Sequence, residues 1–169
     1  MAESNLILTL AMDEASRSYF ETLRRQHFPP KRNQVPAHLS LFNQLPGEQL
    51  GSLETELAAA CSERASFDLR AEKLRMLGHG VAFILRSPEL KALRGRLAES
   101  WEPWLGPQDR QGFQPHVTVQ NKVAPERAKA LHVELAAGFE PFAVRAEGLL
   151  LWRYLGGPWE LVNEYGFGE

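Results

Sequence analysis

Pro36-Ala37-His38-Leu39-Ser40-Leu41-Phe42 and Pro115-His116-Val117-Thr118-Val119-Gln120 are two statements of one pattern. In each, a proline-bearing loop ends at a histidine, followed by an aliphatic residue, a hydroxyl and a second aliphatic. Alternation with period two reads as a strand, with imidazole and hydroxyl on one face and the aliphatics on the other. The two histidines stand 78 positions apart (38 to 116) in a chain of 169 residues, close to half its length. That spacing suggests two matching halves, each supplying half of one site.

Working outward, the elements repeat in order. Leu6 to Met12 reads as a strand, and Asp13 caps a helix from Glu14 to His27 that Pro29-Pro30 ends. A loop follows to Ala37, then the first motif strand, His38 to Leu45. Pro46-Gly47 opens a helix from about Glu48 to Glu63, and Phe67 to Leu77 alternates as a strand. Gly78-His79-Gly80 breaks the chain, and the order restarts with a strand from Val81 to Arg86. Ser87 caps a helix with Pro88 at its first position, running to about Trp104. A loop over Gly106 to Gln114 leads into the second motif strand, His116 to about Val123. Pro125 starts a helix that Gly138 stops, and strands Phe142 to Leu155 and Trp159 to Phe167 complete the chain. The expected fold class is α+β: two βαβαβ-type lobes, about 1–78 and 79–169, within a single domain spanning 1–169 and sharing a central cleft.

Bulk composition narrows the function classes. A content of 44% hydrophobic and 24% charged residues is that of a globular domain. The net charge of −2 gives no general basic surface, although a local basic patch stays compatible with it. Cys61 is the single cysteine, so no internal disulfide and no cysteine cage for a metal can form. Its alanine-rich helical context makes it a small core residue. Met1-Ala2-Glu3-Ser4-Asn5 lacks a signal-peptide pattern and no apolar run reaches membrane-span length, so a cytoplasmic location is expected, with no membrane association.

One His-x-Ser or His-x-Thr alone is an ordinary strand. Two of them facing a shared cleft offer two imidazoles and two hydroxyls around one centre, a set suited to phosphoryl transfer. A neutral ring can take a proton while a charged one gives one, and the hydroxyls can hold non-bridging phosphate oxygens. Metal-site spacings such as HxH or HExxH do not occur, so neither a metal nor another cofactor is expected.

The paired H-x-[ST]-x motifs resemble the 2H phosphoesterase superfamily, which includes LigT-like 2′-5′ RNA ligases and cyclic nucleotide phosphodiesterases. Residues Pro107 to Arg110 and Pro115 to Lys122 resemble the bacterial branch of 2′-5′ RNA ligase-like proteins. The resemblance covers nearly the whole chain. It implies two pseudo-symmetric α+β lobes with antiparallel sheets around a groove, and it carries the four motif positions onto His38, Ser40, His116 and Thr118. Serine in place of the commoner threonine at Ser40 keeps the hydroxyl donor. The implied activity is opening of a 2′,3′-cyclic phosphate on an RNA end or a nucleotide to a 2′-phosphate, with 2′-5′ ligation as related chemistry. The residues alone leave the acid and base roles interchangeable; the products usual in the family point to His38 as acid and His116 as base. Alternatives are a non-catalytic RNA- or nucleotide-binding module and an enzyme for another small cyclic phosphoester, such as an ADP-ribose cyclic phosphate. No protein partner is implied.

Around the motifs, Lys31, Arg32, Arg110 and Lys122 are candidates for flanking phosphates. Counting by twos along the strands places Gln120 and Lys122 on the His116 face and Phe42 on the His38 face. Phe42 is therefore the first choice for stacking a base, ahead of Phe113, Trp152 and Tyr154. His79, between two glycines, is read either as reaching the cleft from the inter-lobe turn or, the favoured reading, as a surface turn residue, and His27 and His132 sit on helices.

Overall fold

The computed structural model describes residues 4–168. Met1 to Glu3, part of the segment read as lacking a leader pattern, lie outside the described residues. The elements are β1 (Leu6–Met12), α1 (Glu14–His27), β2 (Ser40–Leu45), α2 (Leu50–Ser62), β3 (Phe67–Met76), β4 (Val81–Arg86), α3 (Pro88–Ser100), β5 (His116–Gln120), α4 (Pro125–Ala137), β6 (Phe142–Tyr154) and β7 (Trp159–Gly166). The class is α+β, and every strand pairing is antiparallel.

Local chemistry sets several of these boundaries. The Asp13 carboxylate accepts the Ser16 N–H at 3.1 Å, and the Ser87 hydroxyl accepts the Leu90 N–H at 3.0 Å, so both expected N-caps form. Helix α3 stops at Ser100, and a 3-10 turn over Glu102–Trp104 replaces the last turn expected of it. Pro103, inside that segment, has no N–H to continue an α-helical ladder. A 3-10 turn at Gly47–Gln49 likewise precedes α2.

The strand order is β2-β1-β6-β3-β4-β5, with β7 also on β6. Strand β6 is the shared beam. Its residues 142–146 pair with β3, and its residues 146–154 pair with β1 on one edge and β7 on the other. The boundary expected near residue 78 therefore does not divide the sheet. Strand β3 leaves the first half of the chain and pairs with β4, while β7 leaves the second half and joins the side that holds β1 and β2. A strand with ten consecutive extended residues needs partners along its length, and β4 is the nearest one through the tight Gly78 turn.

The helices cross over as well. Helix α1 leaves β1 and packs on the far side: Tyr19 and Phe20 contact Phe83 of β4 and Phe142 of β6 edge to face or tilted, with centroids 5.2–6.0 Å apart. Just beyond α3, Trp101 reaches the other way, to Phe42 of β2 at 5.2 Å and to the Glu56 carboxylate of α2 at 3.0 Å. Leu6, Leu8, Leu39, Phe42, Leu53, Leu57, Phe83, Leu97, Val117 and Leu149 meet in one core drawn from both halves of the chain. Cys61 lies in that core, and burial pushes its thiol up to about 11. Among the described residues no helix is long and apolar enough to cross a membrane.

Candidate active site

The motif strands β2 and β5 end the strand path on opposite sides, and a cleft of about 430 Å³ lies between them. His38, Ser40, His116 and Thr118 all line it. His38 stands two residues before β2 begins, not on the strand as the alternation predicts, whereas His116 opens β5. Both rings are held in the same way. Nδ1 of His38 lies 2.7 Å from the Pro36 carbonyl, and Nδ1 of His116 lies 2.8 Å from the Gln114 carbonyl. A carbonyl only accepts, so Nδ1–H donates in each ring. In the neutral rings Nε2 is then the nitrogen with a free lone pair.

The environments of the two rings differ. Trp159 of β7 covers His38, with ring centroids 4.6 Å apart. Trp152 backs Trp159 at 5.9 Å and is itself fixed by its indole N–H, which donates to Thr9 Oγ1 at 2.8 Å. Burial pushes the His38 pKa down to about 4. The Pro36 hydrogen bond partly opposes that shift, and the positive charges of Arg24 and His116 add to it. His116 is exposed.

Each motif strand carries a bulge directly after its hydroxyl. Thr9 pairs with Ser40 but Leu8 pairs with Phe42; Ala82 pairs with Thr118 but Val81 pairs with Gln120. In both places one strand spends two residues where its neighbour spends one, and the alternation of faces resets. Phe42 therefore shares the core face with Leu8 and is fully buried, packed on Trp101. Gln120 turns to the Val81 side and is buried too, with its Oε1 lacking a hydrogen-bond partner among the described residues. Neither residue lines the cleft, in contrast to the expectation from counting by twos.

Two buried arginines tie these bulged segments to the opposite half. Arg24 of α1 donates from Nη1 to the Thr118 carbonyl at 3.1 Å and from Nε to Asn33 Oδ1 at 2.8 Å. Arg94 of α3 donates from Nε to the Leu41 carbonyl at 3.1 Å and from Nη2 to the Asp109 carbonyl at 2.7 Å. Its guanidinium also lies 4.3 Å from the Phe42 ring centroid. Each arginine thus bonds its own half's loop and the other half's motif strand. The Asp109 carboxylate completes the join by accepting the Asn43 and Gln44 N–H groups, both at 2.8 Å, on the free edge of β2.

The other candidates are placed as follows. Phe113 lines the cleft. Arg110 is turned into an ion pair with Glu102 and into the Leu105 and Glu102 carbonyls, at 2.9 and 2.8 Å, and does not line the cleft. Lys122 lies beyond the end of β5 in a left-handed conformation with φ 63°, which removes it from the His116 face. Lys31 and Arg32 are exposed on a 3-10 turn outside the cleft lining, Tyr154 is exposed near the β6–β7 turn, and His79 contacts the Val123 carbonyl at 3.1 Å. Arg75, Leu77, Asn43 and Arg94 also line the cleft, and the motif pattern gives no sign of them. Arg24 and Arg94 carry a readable signal: each falls at helical spacing on the buried face of its helix, with Ser16 and Phe20, or with Leu90, Leu93 and Leu97. Among the described residues no group of three His, Cys, Asp or Glu side chains could hold a metal ion.

The family model for the 2′-5′ RNA ligase superfamily matches residues 12–158. Among solved structures, TT0787 of Thermus thermophilus is 18% identical with a TM-score of 0.70, covering 96% of this chain and 97% of that one. E. coli LigT complexed with 3′-AMP is 18% identical with a TM-score of 0.65, covering 99% of each chain. A crystal structure of a phosphoesterase is 16% identical with a TM-score of 0.62, again covering 99% of each. At these identities the likeness to the solved structures is one of fold. No curated protein matches the chain by sequence.

Proposed function

We propose that this chain, which belongs to the 2′-5′ RNA ligase superfamily of LigT-like 2H phosphoesterases, opens 2′,3′-cyclic phosphates on RNA ends or nucleotides to 2′-phosphates. The observation that carries the reading is the shared cleft: two imidazoles tethered alike through Nδ1 and two hydroxyls, all on its wall. One Nε2 takes a proton from water as the water oxygen attacks phosphorus. The bond from phosphorus to the 3′ oxygen breaks, and that oxygen takes a proton from the other Nε2. Ser40 and Thr118 donate hydrogen bonds to the non-bridging oxygens, where charge must be held as the bonds exchange.

The resting electrostatics support His38 as the base, the reverse of the assignment the family's usual products point to. A ring pushed down to about 4 is neutral at pH 7 and ready to accept a proton. The repulsion between the two rings disfavours both carrying a proton at once, which leaves His116 to supply the acid. A 5′-hydroxyl in place of water would give the 2′-5′ linkage by the same proton movements.

The test is turnover of adenosine 2′,3′-cyclic phosphate in the presence of chelator by wild type, His38→Ala and His116→Ala. Each substitution is expected to lower kcat by about 10²–10⁴, and wild type is expected to release the 2′-phosphate. Near-full activity in both variants would remove the assignment. Binding of the cyclic nucleotide without turnover by wild type would make the chain a binding module.

A further inference from the structure

We infer that Arg75 selects substrates that carry a phosphate on the 5′ oxygen of the reacting nucleotide; this rests on the cyclic-phosphate reading above. Apart from the two histidines, the charged side chains lining the cleft among the described residues are Arg75, Arg94 and Asp109. Arg94 is spent on two backbone carbonyls, and the Asp109 carboxylate on two backbone N–H groups. Arg75 is exposed and forms no ion pair among the described residues. Its donors are therefore free to meet an anion, and a guanidinium matches phosphate oxygens two at a time.

The register says where that anion would lie. Arg75 pairs with Ala82, and Ala82 pairs with Thr118, so the three stand in one row on the cleft face of β3, β4 and β5. Two strand spacings put the Arg75 backbone about 10 Å from that of Thr118. Ala82, between them, is too small to raise a wall, so the Arg75 side chain has a clear path over it toward the hydroxyl. A 2′,3′-cyclic phosphate ends its chain, and no further phosphate can follow on that side of the ribose. The 5′ oxygen is the remaining position on a simple nucleotide that carries one. With the reacting phosphate at Thr118, a 5′ phosphate one ribose away is the second anion that a guanidinium in this row can reach.

Two substrates share this chemistry: a small nucleotide with a 5′ phosphomonoester, and an RNA end whose 5′ oxygen carries the preceding phosphodiester. The experiment compares kcat/KM for adenosine 2′,3′-cyclic phosphate, its 5′-phosphorylated form and a diadenosine with a 2′,3′-cyclic end. Wild type, Arg75→Gln and Arg70→Gln are used. Arg70 is the matched control: it is an exposed arginine of the same strand, but it pairs with Arg86, whose row holds no β5 residue, and it lies outside the cleft lining. Wild type is expected to prefer a 5′ phosphate at least tenfold, Arg75→Gln to lose at least tenfold of that preference, and Arg70→Gln to keep it. Preference for the monoester alone assigns small nucleotides; preference for both assigns RNA ends.

Binding of adenosine 2′-phosphate against adenosine 2′,5′-bisphosphate, measured by calorimetry, tests Arg75 independently of turnover. If nothing is hydrolysed but the Arg75-dependent preference persists in binding, the catalytic reading falls and Arg75 stands. No preference in wild type, a preference untouched by Arg75→Gln, or one equally lost in Arg70→Gln overturns the inference.

Discussion

Replacing Arg94 by methionine tests the idea that crossed arginines join the two halves at the site. The guanidinium makes two charge-assisted bonds, to the Leu41 and Asp109 carbonyls, and covers the Phe42 ring. Methionine keeps most of the aliphatic packing but strands both carbonyls in a region where Arg94 itself is only 9% exposed. At roughly 1.5–3 kcal/mol for a hydrogen bond to a charged group, and with partial relief from water entering the cleft, the expected loss is about 3–5 kcal/mol. A chain of this size should then melt roughly 10 °C lower. Arg94→Lys keeps the charge but not the fork, so it should recover less than half of the loss. Urea unfolding followed by tryptophan fluorescence reads both variants. An Arg94→Met protein within about 1 kcal/mol of wild type would refute the reasoning, because the two carbonyls would then have needed no partner.

Three further outcomes follow from the same geometry. The folded His38 pKa of about 4 lies below the unfolded value of about 6.5, so the unfolded chain binds more protons between those values. Stability should therefore fall as pH drops through that window, by up to about 3 kcal/mol at its acid end, and His38→Gln should flatten the dependence in urea midpoints measured from pH 4 to 7. Trp159→Ala uncovers the ring and should move the acid limb of the pH–kcat/KM profile up toward the usual imidazole range; an unmoved limb would sever Trp159 from His38 titration. Gly80→Ala would drive its Cβ into the Gln120 carbonyl, a backbone group that cannot swing away, and should cost more than about 2 kcal/mol in thermal unfolding or prevent folding.

The element order could be read from the chain because its signals are local: Asp13 and Ser87 as caps, prolines at helix starts, and alternation in β3 and β6. The four motif residues shared a recognisable pattern, and the structure brings them to one cleft. What could not be read was anything that depends on a partner strand. Counting by twos puts Phe42 and Gln120 on the motif faces, but it holds only while a strand keeps its register. Both bulges follow immediately on the hydroxyl and reverse the count, and a bulge is defined by the neighbouring strand. Lys122 leaves the motif face because β5 ends at Gln120. Trp159 reaches His38 across 121 positions (38 to 159), and Asp109 reaches the β2 edge from 65–66 positions away, so neither leaves a local trace. Arg94 and Arg24 lay between these cases. An arginine within an apolar helical stripe signals a buried guanidinium, but not which carbonyls it serves.

The pairing of β1 has a consequence for the order of events during synthesis. All seven of its residues, Leu6-Ile7-Leu8-Thr9-Leu10-Ala11-Met12, are buried, and one of its two partners is β6, with Leu6 opposite Arg153 and Met12 opposite Ala146. Strand β2 can close on β1 early, but the other edge has no mate until the ribosome has added some 140 further residues. At roughly 5–20 residues per second, that wait is about 7–30 s. Throughout it a strand edge rich in apolar side chains is open to wrong partners, and the chain's exposure to misassembly is set by how late β6 arrives.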